Sequence, residues 1–279
     1  EKPGVIDADG NLRDLSGLVS DLTPDTVRLS QLAKLKDADI NALPIVGNDQ
    51  RYGVPVANIG KVIAVGLNYA DHAAESNLPV PPEPIFFTKA ITSLSGPNDD
   101  VMKPRDATKM DWEVELGLII GKTCRYVDEA DALSHVAGYV LVNDISERAF
   151  QKERGTQWVK GKGCDTFCPT GPWLVTPDEV GDVHNLDMFL NVNGQRMQTG
   201  NTKTLIFNVA QCISYISRFI TLQPGDLVIT GTPPGVGEGK KPNAIYLNAG
   251  DTMHLGVSKL GEQKQTVVAF SLDGQEILG

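Results

Sequence analysis

Apolar and polar residues alternate most clearly in the stretch from Asp111 to Gly121. Side chains on a strand point to opposite faces with period two. Val114, Leu116 and Leu118 then share one face, and Glu113, Glu115 and Gly117 share the other. Two glutamates on one face either point into water, as on a half-buried antiparallel strand, or aim together at a cation. The run Val136 to Val142 is nearly continuous in apolar residues, which predicts a buried strand. It ends abruptly in Asn143-Asp144, and an acid at the end of a buried strand can sit at the rim of a site.

The same reading places further strands at Val62 to Val65, Ile85 to Lys89, Leu186 to Val192, Leu227 to Thr230, Met253 to Val257 and Thr266 to Phe270. Asn193-Gly194 is a strong two-residue hairpin signal. Helical spacing appears at Leu29 to Leu35, Tyr69 to Ser76, Asp128 to His135, Ser146 to Glu153 and Asn208 to Phe219, the last with Asn208 as its N-cap. On the helix from Tyr69, His72 and Glu75 lie three apart and can meet on one face. That pair is either a surface ion pair or a general base whose tautomer is set by the carboxylate. Lys89 closes its strand as a cation, either solvated or set to neutralise a substrate carboxylate. Gln157 to Gly163 is basic, contains glycine and reads as irregular.

Residues 1–58 read as a small N-terminal α+β domain, with a strand from Val5 entering an Asp-Gly turn, and residues 59–279 as the main domain. The 279 residues are 41 % hydrophobic and 22 % charged, enough for a sizeable core. The net charge of −10 argues against nucleic-acid binding, which needs a basic surface. No apolar run approaches the ~18–20 residues of a membrane span, and the N-terminus has no signal-peptide-like segment. The four cysteines form no C-x-x-C pair and read as reduced, buried thiols of a cytoplasmic protein. The segment Gly231 to Gly239 is glycine-rich but lacks phosphate-loop spacing, and its two prolines prevent a helix from starting there. Its backbone N–H groups beside Thr232 can still hold a carboxylate or oxyanion.

Glu113, Glu115 and Asp144 therefore stand out together. Bare carboxylates repel by about 4 kcal/mol per pair at 4 Å and an effective dielectric near 20. A divalent cation removes that repulsion. An all-oxygen set suits Mg²⁺ or Mn²⁺ and not zinc.

These motifs, taken in order, resemble the fumarylacetoacetate hydrolase family over roughly residues 60–270. The resemblance rests on Gly66-Leu67-Asn68-Tyr69 leading to His72 and Glu75; on Glu113-Val114-Glu115; and on Asn143-Asp144 followed by Arg148 and Gln151. It also rests on Lys160-Gly161-Lys162 leading to Asp165 through Pro172, and on Gly231 through Gly237. One departure is Gly163-Cys164, where many members carry Ser-Phe.

The resemblance implies a β-rich α+β fold, a barrel-like β-roll preceded by a small N-terminal domain. It implies Glu113, Glu115 and Asp144 as ligands of Mg²⁺ or Mn²⁺, with no organic cofactor. His72, Glu75 and Lys162 would be catalytic. Tyr69, Lys89, Arg148, Gln151 and Thr232 would contact a small anionic keto acid. It also implies a homodimer. The expected reaction is hydrolysis of a C–C bond in an acylpyruvate or 2,4-diketo acid, by water activated at His72 and Glu75, with the released enolate stabilised at the metal site. Ureidoglycolate lysis, oxaloacetate decarboxylation and keto–enol isomerisation are the alternatives on the same scaffold, because fold and metal site do not choose among them.

Overall fold

The structure, a computed structural model, describes residues 1–47, 49–71 and 79–272. The chain opens with a hairpin of β1 (Gly4–Ile6) and β2 (Leu12–Asp14). Asp7 holds its turn by accepting the backbone N–H groups of Asp9 and Asn11 and pairing with Arg13. The predicted helix follows as α1 (Leu29–Lys36). The main body begins with β3 (Val62–Gly66), β4 (Ile85–Lys89), β5 (Leu94–Ser95), β6 (Val101–Met102), β7 (Met110–Asp111) and β8 (Val114–Ile120). It continues through α2 (Glu129–Ala132), β9 (Val136–Asn143), β10 (Ser146–Glu147), α3 (Arg148–Lys152), α4 (Val159–Lys162), β11 (Cys168–Pro169) and α5 (Pro177–Val180). β12 (Asp187–Val192), β13 (Gln195–Asn201), α6 (Val209–Ser217), β14 (Leu227–Ile229), β15 (Thr252–Val257) and β16 (Gly261–Val268) complete it.

Two five-stranded sheets dominate. One has the order β4-β3-β14-β8-β9, with β14 parallel to β3 and the other pairs antiparallel. The other has the order β13-β12-β15-β16-β6, with β6 parallel to β16. Alternation along β8 decides the packing. Val114, Leu116 and Leu118 join Ile63 and Val228 in a core shared with Met188, Leu190 and Leu255 of the second sheet. The opposite face of the first sheet buries Ala64, Ile119, Val140, Val142 and Leu227 with Val27 and Val56 of the N-terminal segment. Gly117 lies on that second face, where a Cβ would come within 2.8 Å of the Val140 and Val142 methyls. β8 is therefore buried on both faces, and Glu115 within it and Glu113 just before it are both buried, which rules out the solvated reading of the two glutamates. The fold is α+β and strand-rich as expected. Among the described residues the sheets do not close into a barrel.

Local chemistry explains several elements. Asn193 and Gly194 take φ of +50° and +76°, which fits a type I′ hairpin turn between β12 and β13. Asn208 caps α6 in a reciprocal capping box with Gln211. Three segments differ from the sequence reading. Ser146 and Glu147 pair as β10 with β7 before α3 begins. The basic segment expected to be irregular contains the helical turn α4. β16 starts at Gly261 and not Thr266, because its inward positions include Gln263 and Gln265, which apolar periodicity cannot see. The Gln263 amide donates to the carbonyls of Leu141 (2.9 Å) and Gly171 (2.8 Å). No helix among the described residues is long and apolar enough to cross a membrane.

Candidate active site

The β8–β9 pairing builds the site. Val114 lies opposite Asn143, so the residue preceding one strand meets the residue following the other. Glu113 falls in the break between β7 and β8, and its N–H donates to the Asn143 side chain at 3.2 Å. The Asp144 N–H donates to the Glu113 carbonyl at 2.8 Å. Glu115 follows on the same strand. The carboxylates of Glu113, Glu115 and Asp144 have oxygens within 4.8 Å of one another, and all three residues are buried.

Three buried cations surround them. Lys162 Nζ donates to Glu113 Oε2 at 2.8 Å and to Asp144 Oδ2 at 2.7 Å. Arg148 bridges two acids, with Nη2 at 2.6 Å from Glu113 Oε1 and Nε at 2.9 Å from Asp111 Oδ2. Lys89 Nζ donates to Asp144 Oδ1 at 2.6 Å, to the Ile145 carbonyl at 3.3 Å and to the Lys162 carbonyl. Lys162 reaches this position because α4 packs tightly on the β10–α3 corner. A Cβ on Gly161 would sit 2.3 Å from the Glu147 carbonyl. Behind Glu115, the Gly231 N–H donates to Oε2 at 2.8 Å. Gly231 has φ +97°, where a side chain is strained, and a Cβ there would also crowd Asn68.

The electrostatics separate the two glutamates. Burial pushes the Glu115 carboxyl well above the usual carboxylate range, and the charges of Asp144 and Glu113 push it further. Burial also acts on Glu113, but Lys162 and Arg148 outweigh it and hold that carboxyl well below the usual range. Burial would discharge Lys162, yet Asp144 and Glu113 keep its pKa raised. The donor set fits a hard divalent cation. It is all oxygen and buried, and it contains one carboxylate whose charge the surroundings oppose. A cation among the three would relieve that opposition.

The three carboxylates open on a cavity of about 380 Å³. Arg148, Gln151, Lys162 and Thr232, all candidate site residues from the sequence, line it. The Gln151 Oε1 accepts from Arg148 Nη1 at 3.2 Å, so the amide is aligned by the guanidinium. The Thr232 hydroxyl donates to the Val114 carbonyl at 2.9 Å and accepts from Gln198 at 2.8 Å, which ties the glycine-rich loop to β8. Two expected substrate contacts are placed elsewhere. Tyr69 is fully buried and its hydroxyl donates to Met188 Sδ at 3.1 Å. Lys89 is buried behind Asp144 and does not line the cavity. His72 and Glu75 lie outside the described residues.

Several residues in or directly behind the cavity wall were not singled out in the sequence. Asp111, fully buried, anchors Arg148 and accepts the backbone N–H groups of Gly237 (2.6 Å) and Glu238 (3.1 Å). Trp158, Lys152, Glu238 and Lys241 line the outer part. The charged run following the glycine-rich loop was the available signal for Glu238 and Lys241.

Comparison with known proteins identifies the family. Residues 61–268 match the family model described as fumarylacetoacetate (FAA) hydrolase, C-terminal. The 2,4-didehydro-3-deoxy-L-rhamnonate hydrolase of Sphingomonas sp. (strain SKA58) is 67 % identical over 279 residues, covering 100 % of this chain and 96 % of that protein. The solved fumarylacetoacetate hydrolase from psychrophilic Exiguobacterium antarcticum has a TM-score of 0.86 at 36 % identity, over 96 % of this chain and 95 % of that one. Maleylpyruvate hydrolase from Sphingobium sp. SYK-6, solved in complex with manganese(II) ion and pyruvate, has a TM-score of 0.80 at 32 % identity, over 96 % of both chains. The chain is an enzyme of the fumarylacetoacetate hydrolase family.

Proposed function

We propose that the protein is a divalent-metal-dependent hydrolase that cleaves a carbon–carbon bond in an acylpyruvate or related 2,4-dioxo acid. The observation that carries this reading is the buried Glu113–Glu115–Asp144 set at the wall of a cavity that also presents Arg148 and Lys162. Those three carboxylates would hold Mg²⁺ or Mn²⁺, which when bound supplies electrophilic stabilisation where negative charge develops on substrate oxygens. The relatives support the substrate class: one is a 2,4-didehydro-3-deoxy-L-rhamnonate hydrolase, and another, a maleylpyruvate hydrolase, was solved with manganese and pyruvate.

The chain's own residues supply binding, charge and proton transfer. Arg148 and Lys162 are fixed by buried acids, so they face an anionic substrate without reorganising. Gln151, aligned by Arg148, adds a directed polar contact. The loop from Gly231, held to β8 through Thr232 and Glu115, keeps its backbone close to the reacting carbons. His72, with Glu75 three residues on, is the general base in this reading. It takes a proton from water, and the resulting hydroxide adds to the distal carbonyl carbon. The bond from that carbon toward the 2-oxo acid then breaks. One fragment leaves as a carboxylate, and the other takes up a proton to become a pyruvate-type acid.

The test is release of pyruvate from simple acylpyruvates and from a 2,4-diketo-3-deoxy sugar acid, using chelator-stripped protein before and after Mg²⁺ or Mn²⁺ is restored. Metal-dependent release is expected. Release that persists at full rate after stripping would refute the metal requirement. Metal uptake with no release from any of these acids would refute the hydrolase and favour lyase or decarboxylase chemistry on the same site. The homodimer implied by the resemblance belongs to the same proposal and is checked by analytical ultracentrifugation.

A further inference from the structure

The outer part of the cavity carries a charge arrangement that the proposed hydrolysis does not use. Glu238 lies in the short 3₁₀ turn Gly237–Gly239 that follows the glycine-rich loop. Its backbone is fixed, because the Glu238 N–H donates to buried Asp111. Its carboxylate pairs with Lys152 Nζ from the end of α3 and stands 3.7 Å from Arg148 Nε. The guanidinium of Arg148 therefore separates two carboxylates. Glu113, of the candidate metal set, lies on its inner side, and Glu238 on its outer side. Glu238, Lys152 and Arg148 all line the same cavity. The Glu238 side chain keeps about a third of its surface exposed, with relative accessibility of 32 %.

This placement sets what the far end of a substrate meets. In the hydrolase reading, with the 2-oxo acid end at the three inner carboxylates, a substituent on the distal carbonyl that runs past Arg148 reaches the Glu238–Lys152 pair. A second carboxylate there would have to displace Glu238 from Lys152 and would face it as a like charge. A bare alkyl tail would strip water from the pair and return no hydrogen bond, which is unfavourable for polar groups. An uncharged tail bearing hydroxyls can donate to Glu238 and accept from Lys152 without breaking the pair. We infer that Glu238, braced by Lys152, is a specificity-determining residue that selects 2,4-dioxo acids with a hydroxylated, uncharged tail. This rests on the C–C hydrolase reading above.

The experiment measures kcat/KM of wild type, Glu238→Gln and Lys152→Met on three 2,4-dioxo acids. One carries a hydroxylated tail, one a methyl group and one a distal carboxylate. A hydrogen bond to a charged group is expected to shift discrimination by roughly 10–100-fold. In Glu238→Gln the ratio of hydroxylated to methyl substrate should fall by that factor, and the ratio of carboxylate to methyl substrate should rise. Lys152→Met should lower the first ratio by a smaller factor, because the carboxylate remains but loses its brace. Wild-type turnover with both ratios unmoved in Glu238→Gln overturns the inference, as does a uniform loss on all three acids. Wild type that cleaves none of the three overturns the hydrolase reading itself, and this inference falls with it.

Discussion

Replacing Glu115 with Gln removes a charge from the centre of the site and keeps the shape of the side chain. The amide oxygen can still accept the Gly231 N–H, now 2.8 Å from Glu115 Oε2, so the loop behind it stays anchored. What disappears is repulsion. Glu115 offers an oxygen within 4.8 Å of oxygens on both Glu113 and Asp144. Two unit charges at that separation repel by about 3.5 kcal/mol at an effective dielectric near 20. Attraction to Lys162 offsets part of the two repulsions, while burial adds to them. After relaxation, metal-free Glu115→Gln protein should be more stable than metal-free wild type at neutral pH by about 1–3 kcal/mol. For a chain of this size each kcal/mol moves the thermal midpoint by about 2–4 °C.

The pH dependence has a definite sign. The folded pKa of Glu115 is raised above its ordinary value of 4.5. Folded and unfolded chains both hold the proton at lower pH, and the penalty appears as pH rises from there toward the raised value. The advantage of Glu115→Gln should therefore vanish near about pH 4 and grow toward neutrality. Adding Mn²⁺ should reverse the order, because wild type gains the ion and the variant lacks one of its three carboxylates. The assay is the thermal midpoint of stripped wild type and variant between pH 4 and 8, followed by calorimetric Mn²⁺ titration. A stripped variant less stable than wild type at neutral pH, or one with undiminished Mn²⁺ affinity, would refute the reasoning.

Other outcomes follow from the same structure. His72→Ala should lower kcat by roughly 10²–10⁴-fold with metal binding retained, measured by pyruvate release and Mn²⁺ titration. Near-wild-type turnover would sink its assignment as general base. Asp111→Asn takes a buried partner from Arg148 and weakens the anchor of Gly237 and Glu238, so it should destabilise the protein by about 3–5 kcal/mol and raise KM. A thermal midpoint within a degree of wild type would show that Arg148 is not held in this way. Asn208→Ala removes the capping box of α6 and should cost about 1 kcal/mol in thermal unfolding with kcat unaltered.

Where periodicity reports a local preference, the chain is readable from its residues. The alternation of β8, the continuous apolar run of β9, the Asn193-Gly194 turn and the Asn208 cap are each decided within a few neighbouring positions. The metal candidates were readable for the same reason, since Glu113 and Glu115 flank one valine and Asp144 ends an apolar strand. The resemblance between separated motifs then joined them. β16 was only half legible because its inward face uses Gln263 and Gln265, whose burial is possible only where carbonyls from β9 and from the Pro97 and Gly171 loops converge on them. No local pattern announces such a partner.

Lys89 shows most clearly why a residue can be found in a sequence while its partners stay hidden. A lysine ending a strand carries the same sequence signal whether it meets water, substrate or a buried acid. Its fate here is settled by Asp144, 55 residues away, and by the carbonyls of Ile145 and Lys162. Held by these three acceptors, Lys89 is buried and does not line the cavity. Lys89 therefore holds one oxygen of Asp144 while Lys162 holds the other. Both oxygens of Asp144 are spoken for by ammonium groups, whereas Glu115 is held by the backbone of Gly231. Charge at the site is thus distributed unevenly. Glu113 and Asp144 are balanced by the chain's own cations, and the like charge left on Glu115 is what a divalent cation would neutralise. Because of this asymmetry a substitution at Glu115, more than at either of its neighbours, is the one expected to report on metal occupancy.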